Sequence, residues 1–468
     1  MNTRKICLLS AGLLTLTGGC TVGPDYHPPQ AAAPKKWSES QRGGTTNTTV
    51  KVVEWWRTFH DAELNSLIER AVQANLDLRI AEGRVREARA TRSGALWDFG
   101  PTINSSTGYT RQKGALQRQS SGLHDTNLDA SWEIDVFGSK RRTLEADTAN
   151  LAASEEDRRD VLVILLGDVA RNYMEVRGAQ QRLAIARKNI TAQSESIELT
   201  RTRFKAGLTS ELDVKQAEAL LATTQATIPT FETAQKQAVH QLSVLLGQPP
   251  GALLAELSRA KPIPPTPPSI PVGMPSDLLR RRPDVRRAER QLAAATANIG
   301  VETAELFPKF SLTGTGGFQS VSASDWLTAG SRYWSAGPTV TWRFLDFGRI
   351  RARIKAADAR QEQALATYEK TVLTAFQDVE NALVAYANEQ SRFKALNESV
   401  TANRRALELA NELYSKGLGD FLSVLDSERS LFGAEDQLAD SQRTVTENLT
   451  TLYKALGGGW ETGRFALR

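Results

Sequence analysis

Cys20 is the residue whose setting most plainly declares a chemistry. It closes Thr17-Gly18-Gly19-Cys20, behind Arg4, Lys5 and an apolar run over 6–16, the layout of a secretory leader that ends at a thiol. Small residues before such a cysteine suit a peptidase that cuts once the sulfur carries a diacylglycerol, after which the new amine takes an acyl chain. The predicted leader is therefore 1–19 and the mature chain begins at Cys20. The usual aliphatic place three residues earlier is held by Thr17, with Leu16 one further back. The other reactive side chains are scattered. His27, His60, His124 and His240 show no metal-ligand spacing, and the sequence has no nucleophile elbow, no His-Glu-x-x-His and no phosphate loop. Gly314-Thr315-Gly316-Gly317 sits in a strand pattern with no following helix. No enzyme, no metal site and no cofactor are expected, apart from the covalent lipid on Cys20 (N-acyl and S-diacylglycerol).

The second cysteine, Cys7, lies inside the leader, so the mature chain would hold one thiol and no internal disulfide. The formal charge of +5 falls to +3 once Arg4 and Lys5 leave with the leader. The charges are intermixed and form no basic patch with interleaved aromatics, so no nucleic acid is expected as a partner. No run approaches the roughly eighteen apolar residues of a spanning helix. The best candidate, 161–166, is flanked by Arg158, Arg159, Asp168 and Arg171. A mature chain that crosses a membrane must do so with strands.

The elements that would carry these residues occur twice. Leu76-Asp77-Leu78-Arg79-Ile80-Ala81-Glu82 recurs as Pro283-Asp284-Val285-Arg286-Arg287-Ala288-Glu289, and Pro101 matches Pro308. Further on Trp132 pairs with Trp342, Phe137-Gly138 with Phe347-Gly348, Gly207-Leu208 with Gly417-Leu418, and Leu246-Gly247 with Leu456-Gly457. The division that follows is a leader 1–19, an extended lipid-anchored segment 20–58, a first repeat 59–260, a Pro-rich linker 261–275, a second repeat 276–457 and a tail 458–468.

Each repeat holds one very long helical pattern. Leu162, Val169, Val176, Leu183, Ile190, Ile197 and Phe204 recur every seven residues, as do Val372, Val379, Tyr386, Phe393, Val400, Leu407 and Tyr414. A strict seven-residue seam implies a left-handed supercoil against neighbouring helices. Over 139–204 nothing interrupts it, which at 1.5 Å per residue is roughly 100 Å of helix. Gly207 and Gly417 then stop the helices, and returning helices start near Glu211 and Phe421, the first broken by Pro229.

Four segments alternate with period two, at about 102–111, 127–136, 310–319 and 334–345. Leu128, Ala130, Trp132 and Ile134 oppose Asp129, Ser131, Glu133 and Asp135, while Ala336, Pro338, Val340, Trp342 and Phe344 oppose Gly337, Thr339, Thr341 and Arg343. Each has about the length of a tilted spanning strand. Tyr109, Trp132, Trp326, Tyr333, Trp334 and Trp342 cluster at these strands as an interfacial girdle would. Of these, Trp132, Trp342, Tyr109 and Trp334 are the candidate membrane-interface aromatics. Four strands cannot close a barrel, and open edges are not viable in lipid. The chain should therefore oligomerise, as an eight-stranded dimer or a twelve-stranded trimer, with loops 111–127 and 319–333 outermost.

Gly19-Cys20-Thr21-Val22-Gly23-Pro24-Asp25-Tyr26, Trp55-Trp56, Arg281-Arg282-Pro283-Asp284-Val285, Phe307-Pro308, Leu345-Asp346-Phe347-Gly348-Arg349 and the two Gly-Leu turns resemble the TolC-like outer membrane efflux proteins, in the lipoprotein branch typified by OprM and NodT. The resemblance covers essentially the whole mature chain. It implies a mixed α and β membrane protein, in which a long helical coiled-coil periplasmic barrel joins four transmembrane β-strands per chain to make a trimeric twelve-stranded β-barrel. It also implies a lipid-anchored location in the outer membrane with the helices in the periplasm. The implied partners are a homotrimer, outer membrane lipids, a periplasmic adaptor and an inner-membrane transporter of the resistance-nodulation-division (RND) class. The implied role is the exit duct of that efflux system, passively conducting drugs or other small toxic compounds. A type I secretion or metal-efflux channel remains open, as does a lipid-anchored periplasmic coiled-coil scaffold, which would explain the heptads but not the strands.

The turns at Gly207, Leu208, Gly417 and Leu418 lie farthest from the strands along the chain and are the candidate adaptor contacts. Beside them Glu211, Asp213, Asp420 and Asp426 are the candidate periplasmic gate, where rings of carboxylates would focus negative potential and favour cations. Acids in a first helical turn are equally suited to capping.

Overall fold

The computed structural model describes residues 20–30, 33–39, 44–46, 53–113, 120–268 and 270–461. The leader 1–19 and the part of the tail beyond residue 461 lie outside them. The chain divides into two compact units, one formed by 1–31, 83–156 and 287–370, the other by 32–82, 157–286 and 371–468.

The first unit is organised by a four-stranded antiparallel sheet. Numbering strands in chain order, with β1 (Thr45–Thr46) and β4 (Ile270–Pro271) in the other unit, its members are β2 (Thr102–Gln112), β3 (Ser121–Ile134), β5 (Lys309–Ser320) and β6 (Arg332–Thr341), hydrogen-bonded in the order β2-β3-β5-β6. Two hairpins thus lie side by side, joined by the pairing of β3 with β5. The registers Ile103↔Ala130, Ala130↔Gly314 and Gly314↔Ala336 fix which side chains share a face.

The strand bounds differ from the predicted ones chiefly at β3 and β6, while β2 and β5 differ by at most one residue at each end. β3 begins at Ser121, because the polar run His124, Asp125, Thr126 and Asn127 pairs with Tyr109, Gly108, Thr107 and Ser106. Hydrogen bonding extends the hairpin where no apolar alternation marks it, so the first loop is much shorter than 111–127. β6 ends at Thr341, which leaves Trp342 and Phe344 outside the strand. The alternation continues past the last partner, Lys309 opposite Thr341.

Helices α1 (Ala62–Ala74) and α2 (Leu76–Trp97) precede the first hairpin, and α5 (Pro275–Arg281) and α6 (Pro283–Ala304) precede the second. Between the hairpins run α3 (Ser139–Lys205) and α4 (Glu211–Leu245); after them come α7 (Phe347–Ser415) and α8 (Phe421–Ala455). At 67 and 69 residues, α3 and α7 span about 100 Å each at 1.5 Å per residue. Both contribute residues to the two units.

In the second unit the heptad seam is the buried stripe. Leu162, Val169, Val176, Leu183 and Ile197 are buried, as are Val372, Val379, Tyr386, Val400 and Tyr414. Phe204, the last of its series, is instead 42% exposed. Pro229 does not break α4, which runs through it. Proline removes one N–H, and burial of Phe231 with Leu183 and Ala186 holds the helix together across the gap.

The Pro-rich segment after α4 is extended and tied down. Ile270 and Val272 donate to the carbonyls of Gly44 and Thr46 at 2.9 and 2.8 Å, and Ile263, Ile270 and Val272 are buried. Trp55 stacks on Tyr453 at 5.2 Å, and Trp460 donates to the Arg281 carbonyl at 3.0 Å. Arg282 clamps Asp284 with two bonds and reaches Asp378 at 2.9 Å and the Ala455 carbonyl at 3.3 Å, joining the start of α6 to α7 and the end of α8. The Trp-Trp and Arg-Arg-Pro-Asp motifs therefore do structural work.

Candidate functional site: lipid anchor, sheet faces and helix tips

Cys20 is exposed, and the residues after it are pinned to the first unit. Val22 donates to the Phe137 carbonyl at 3.2 Å, three residues beyond the end of β3. Arg142, buried, donates to the carbonyls of Val22 and Gly23 at 3.1 and 3.2 Å and pairs with Asp25 at 2.8 Å. Tyr26 donates to Glu289 at 2.8 Å. Gly23 has φ +88°, and a Cβ there would stand 2.4 Å from the Cα of Gly300, so two backbones meet where no side chain fits. The Val-Gly-Pro-Asp-Tyr motif is a strap that holds Cys20 near the α-helical end of the sheet.

The sheet has one apolar and one polar face. Registers place Ile103, Leu128, Trp132, Leu312, Trp334 and Val340 on the first, all 40% or more exposed in the single chain. The second carries Asn104, Asn127, Asp129, Thr313, Thr315 and Thr339, with Thr315 bonded to Asp129 at 2.5 Å, Asn127 to Asp129 at 2.7 Å and Thr313 with Thr339 at 3.3 Å. Aromatics mark both ends. Trp132 and Trp342 each turn an indole N–H onto a carbonyl just after the preceding helix, Phe99 at 2.8 Å and Leu306 at 3.1 Å. At the loop end the rings of Tyr109, His124 and Trp326 lie in series, tilted against one another, at 4.6 and 5.4 Å. Along β3, Trp132 and His124 are separated by about 26 Å at ~3.3 Å per residue, roughly 20 Å of height at the ~40° tilt of barrel strands, which fits inside the roughly 25 Å apolar band of an outer-membrane barrel.

The two turns that close the long helices repeat one geometry. Gly207 (φ +72°) donates to the Phe204 carbonyl at 2.9 Å and Leu208 to that of Arg203 at 2.9 Å; Gly417 (φ +73°) donates to Tyr414 at 3.0 Å and Leu418 to Leu413 at 2.9 Å. Both are left-handed glycine caps. Leu208 and Leu418 are 67% and 74% exposed, and Leu212 and Leu422 beside them are exposed too.

Glu211 is exposed at the start of α4. Asp213 completes a capping box, accepting from the Ser210 N–H at 3.1 Å, the Ser210 hydroxyl at 3.0 Å and the Thr209 hydroxyl. Partial burial opposes its ionisation, yet these bonds hold its carboxyl below the usual range. Asp420 is the N-cap of α8, accepting from the Ser423 hydroxyl at 2.5 Å and N–H at 3.0 Å, which lowers its pKa. Asp426 is exposed and pairs with Arg429 at 3.5 Å. Asp213 and Asp420 lie close enough for the charge of Asp420 to bear on Asp213.

Three further groups have no sequence signature. Arg203 bonds the Tyr414 carbonyl and lies over its ring, and Tyr414 packs with Ile197, Leu220, Phe421 and Val424 in one buried cluster joining α3, α4, α7 and α8. Burial pushes Glu428 up to about 7, against a hydrogen bond from Ser196. Further along α8, burial raises Glu447 beside Arg443, which also holds Glu175 and Asp440. A lone carboxylate on a mixed-charge helix reads as solvated until its neighbours are known.

An amphipathic antiparallel sheet bounded by tryptophans, continued by helices of this length, defines a channel protein of the bacterial outer membrane. A family model described as "Outer membrane efflux protein" matches residues 67–248 and 274–458, and the chain belongs to that family. It is 34% identical to Nodulation protein T of Rhizobium leguminosarum bv. trifolii, over 95% of this chain and 96% of that protein. It is 33% identical to the pyoverdine export outer membrane protein OpmQ of Pseudomonas aeruginosa, over 100% and 99% of the two chains. Among solved structures the outer-membrane channel OprN aligns with a TM-score of 0.89 at 39% identity, over 95% of this chain and all of that one.

Proposed function

We propose that three copies of this chain close a twelve-stranded barrel and form the outer-membrane exit duct of a tripartite RND-type efflux system, passively conducting drugs or other small toxic compounds from periplasm to exterior. The carrying observation is the sheet order β2-β3-β5-β6, which leaves β2 and β6 as edges of an amphipathic sheet. In lipid each unpaired edge group costs several kcal/mol, so the edges must pair. With four alternating strands the β6 edge of one copy meets the β2 edge of the next antiparallel, so the ring closes without a mismatch. Eight strands would enclose an interior filled by side chains; twelve leave a lumen, lined by the polar face.

In this reading Cys20 carries the lipid, and the strap over 22–26 keeps the anchor at the periplasmic rim of the barrel. The exposed leucines of the two helix turns form an apolar tip suited to a periplasmic adaptor, which in turn meets the inner-membrane transporter. Asp420 and Asp426, with Glu211 and Asp213, bring carboxylates to the tunnel mouth. The protein acts as a conduit and not as an enzyme.

The test is the mass of the detergent-extracted protein, with bound detergent accounted for, followed by reconstitution into planar bilayers. A trimer that forms pores is the expected outcome. A water-soluble monomer or dimer without pores would sink the proposal.

A further inference from the structure

The apolar face of the sheet carries charge at one end only. Of the residues that the registers place on it, the ionisable cations are Arg111, His124 and Arg332, all in the last rows before the loops, and no carboxylate shares the face. Asp125, Asp129 and Glu133 belong to the opposite face of the same strand. Arg111 and Arg332 are exposed, and no carboxylate pairs with either among the described residues. Arg332 lies 6.0 Å over the Phe318 ring, and beside it Leu128, Gly316, Phe318 and Trp334 line a hollow of about 410 Å³.

Two guanidinium groups without a carboxylate partner, Arg111 donating to the Ser120 hydroxyl at 3.3 Å, cost free energy on a face otherwise made for hydrocarbon unless something anionic meets them there. Arg111 sits on the first strand of the sheet and Arg332 on the fourth, four residues apart in register, which is about 14 Å across the strands at ~4.8 Å per strand and about 13 Å along them at ~3.3 Å per residue, too far for one phosphate to bridge. Resting on the barrel reading above, closure also brings the Arg332 edge of one protomer against the Arg111 edge of the next, at the level of the outer leaflet.

We infer that Arg111 and Arg332 form a binding site for the phosphorylated disaccharide glycolipid of the outer leaflet, with its phosphates on the guanidinium groups and an acyl chain in the hollow beneath Arg332. The Tyr109, His124 and Trp326 rings form the polar-apolar boundary against which the sugar rests. One such site falls at each junction between protomers, so the lipid ties neighbouring chains together.

The experiment is native mass spectrometry of the full-length protein in micelles, titrated with bis-phosphorylated lipid A, with its dephosphorylated form and with inorganic phosphate. The wild-type protein should hold the bis-phosphorylated lipid, and R111Q/R332Q should bind it on the order of tenfold more weakly while keeping wild-type mass and conductance. R111K/R332K should retain binding. Equal binding by R111Q/R332Q, equal binding of the dephosphorylated lipid, or displacement by inorganic phosphate would each overturn the site. A sample that is not a pore-forming trimer sinks the channel reading itself, whereas a conducting trimer that ignores the lipid sinks this inference alone.

Discussion

Arg203 donates from Nη1 to the main-chain carbonyl of Tyr414 at 3.0 Å and holds its guanidinium carbon 4.3 Å from the centre of that tyrosine's ring. One side chain thereby fastens the end of α3 to the end of α7. A charge-assisted hydrogen bond and a partly desolvated cation–π contact together contribute on the order of 2 kcal/mol. Arg203→Ala should loosen the two tips against each other and raise single-channel conductance. Unchanged conductance in planar bilayers would show that this contact does not restrain the opening.

The two aspartates of the second turn can be separated by choice of substitute. Replacing Asp420 and Asp426 together by alanine should raise conductance and weaken cation preference. Asp420→Asn keeps the N-cap and removes the charge, whereas Asp420→Ala also loses a cap worth about 1 kcal/mol. If Asn alters ion selectivity as Ala does, the charge matters; if only Ala has an effect, Asp420 is a cap.

Leu208→Asp with Leu418→Asp should abolish efflux in cells without changing the trimer mass or the conductance of the purified protein. The side chains are exposed and bear on neither helix seam, so the loss would report the missing partner. Full efflux by this variant would place adaptor docking elsewhere.

Gly23→Ala forces a Cβ to within 2.4 Å of the Gly300 backbone at a positive φ, and a strained backbone of this kind costs about 1–3 kcal/mol before the clash is counted. The strap should lift, and limited proteolysis should cut between residues 20 and 30 in the variant and not in the wild type. Equal resistance would mean that the segment is held by other contacts.

Glu428 supplies a pH prediction. Its folded value of about 7 lies above its ordinary one, so the folded state holds the proton more tightly than the unfolded chain. The associated stability is fully present below the ordinary glutamate pKa and is lost as pH rises towards 7 and beyond. Glu428→Gln should therefore stabilise α8 by about 1–2 kcal/mol at pH 8, after allowing for solvent screening, and by little at pH 5. Amide hydrogen exchange along α8 at the two pH values reads the difference; equal protection at pH 8 would contradict it.

Much of this architecture was legible in the chain itself. In the seven-residue seam Leu162, Val169, Val176, Leu183 and Ile197 are buried, because a helix that repeats an apolar side chain every second turn turns that stripe to its neighbours. Gly207 and Gly417 end their helices because a left-handed residue is cheapest without a Cβ. The alternation at Leu128, Ala130, Trp132 and Ile134 marks a strand with two unlike faces. Other features left no local trace. The start of β3 at Ser121 is set by partners on β2, not by its own polar residues. Phe204 and Tyr414 hold the same place in their seams, yet one is exposed and the other buried. Period and turn chemistry are properties of neighbours along the chain, so sequence alone determined the elements and their buried faces. Which residues meet across those faces, Arg203 with Tyr414 or Gly23 with Gly300, depends on segments hundreds of residues apart, and only the packing of the folded chain decided that.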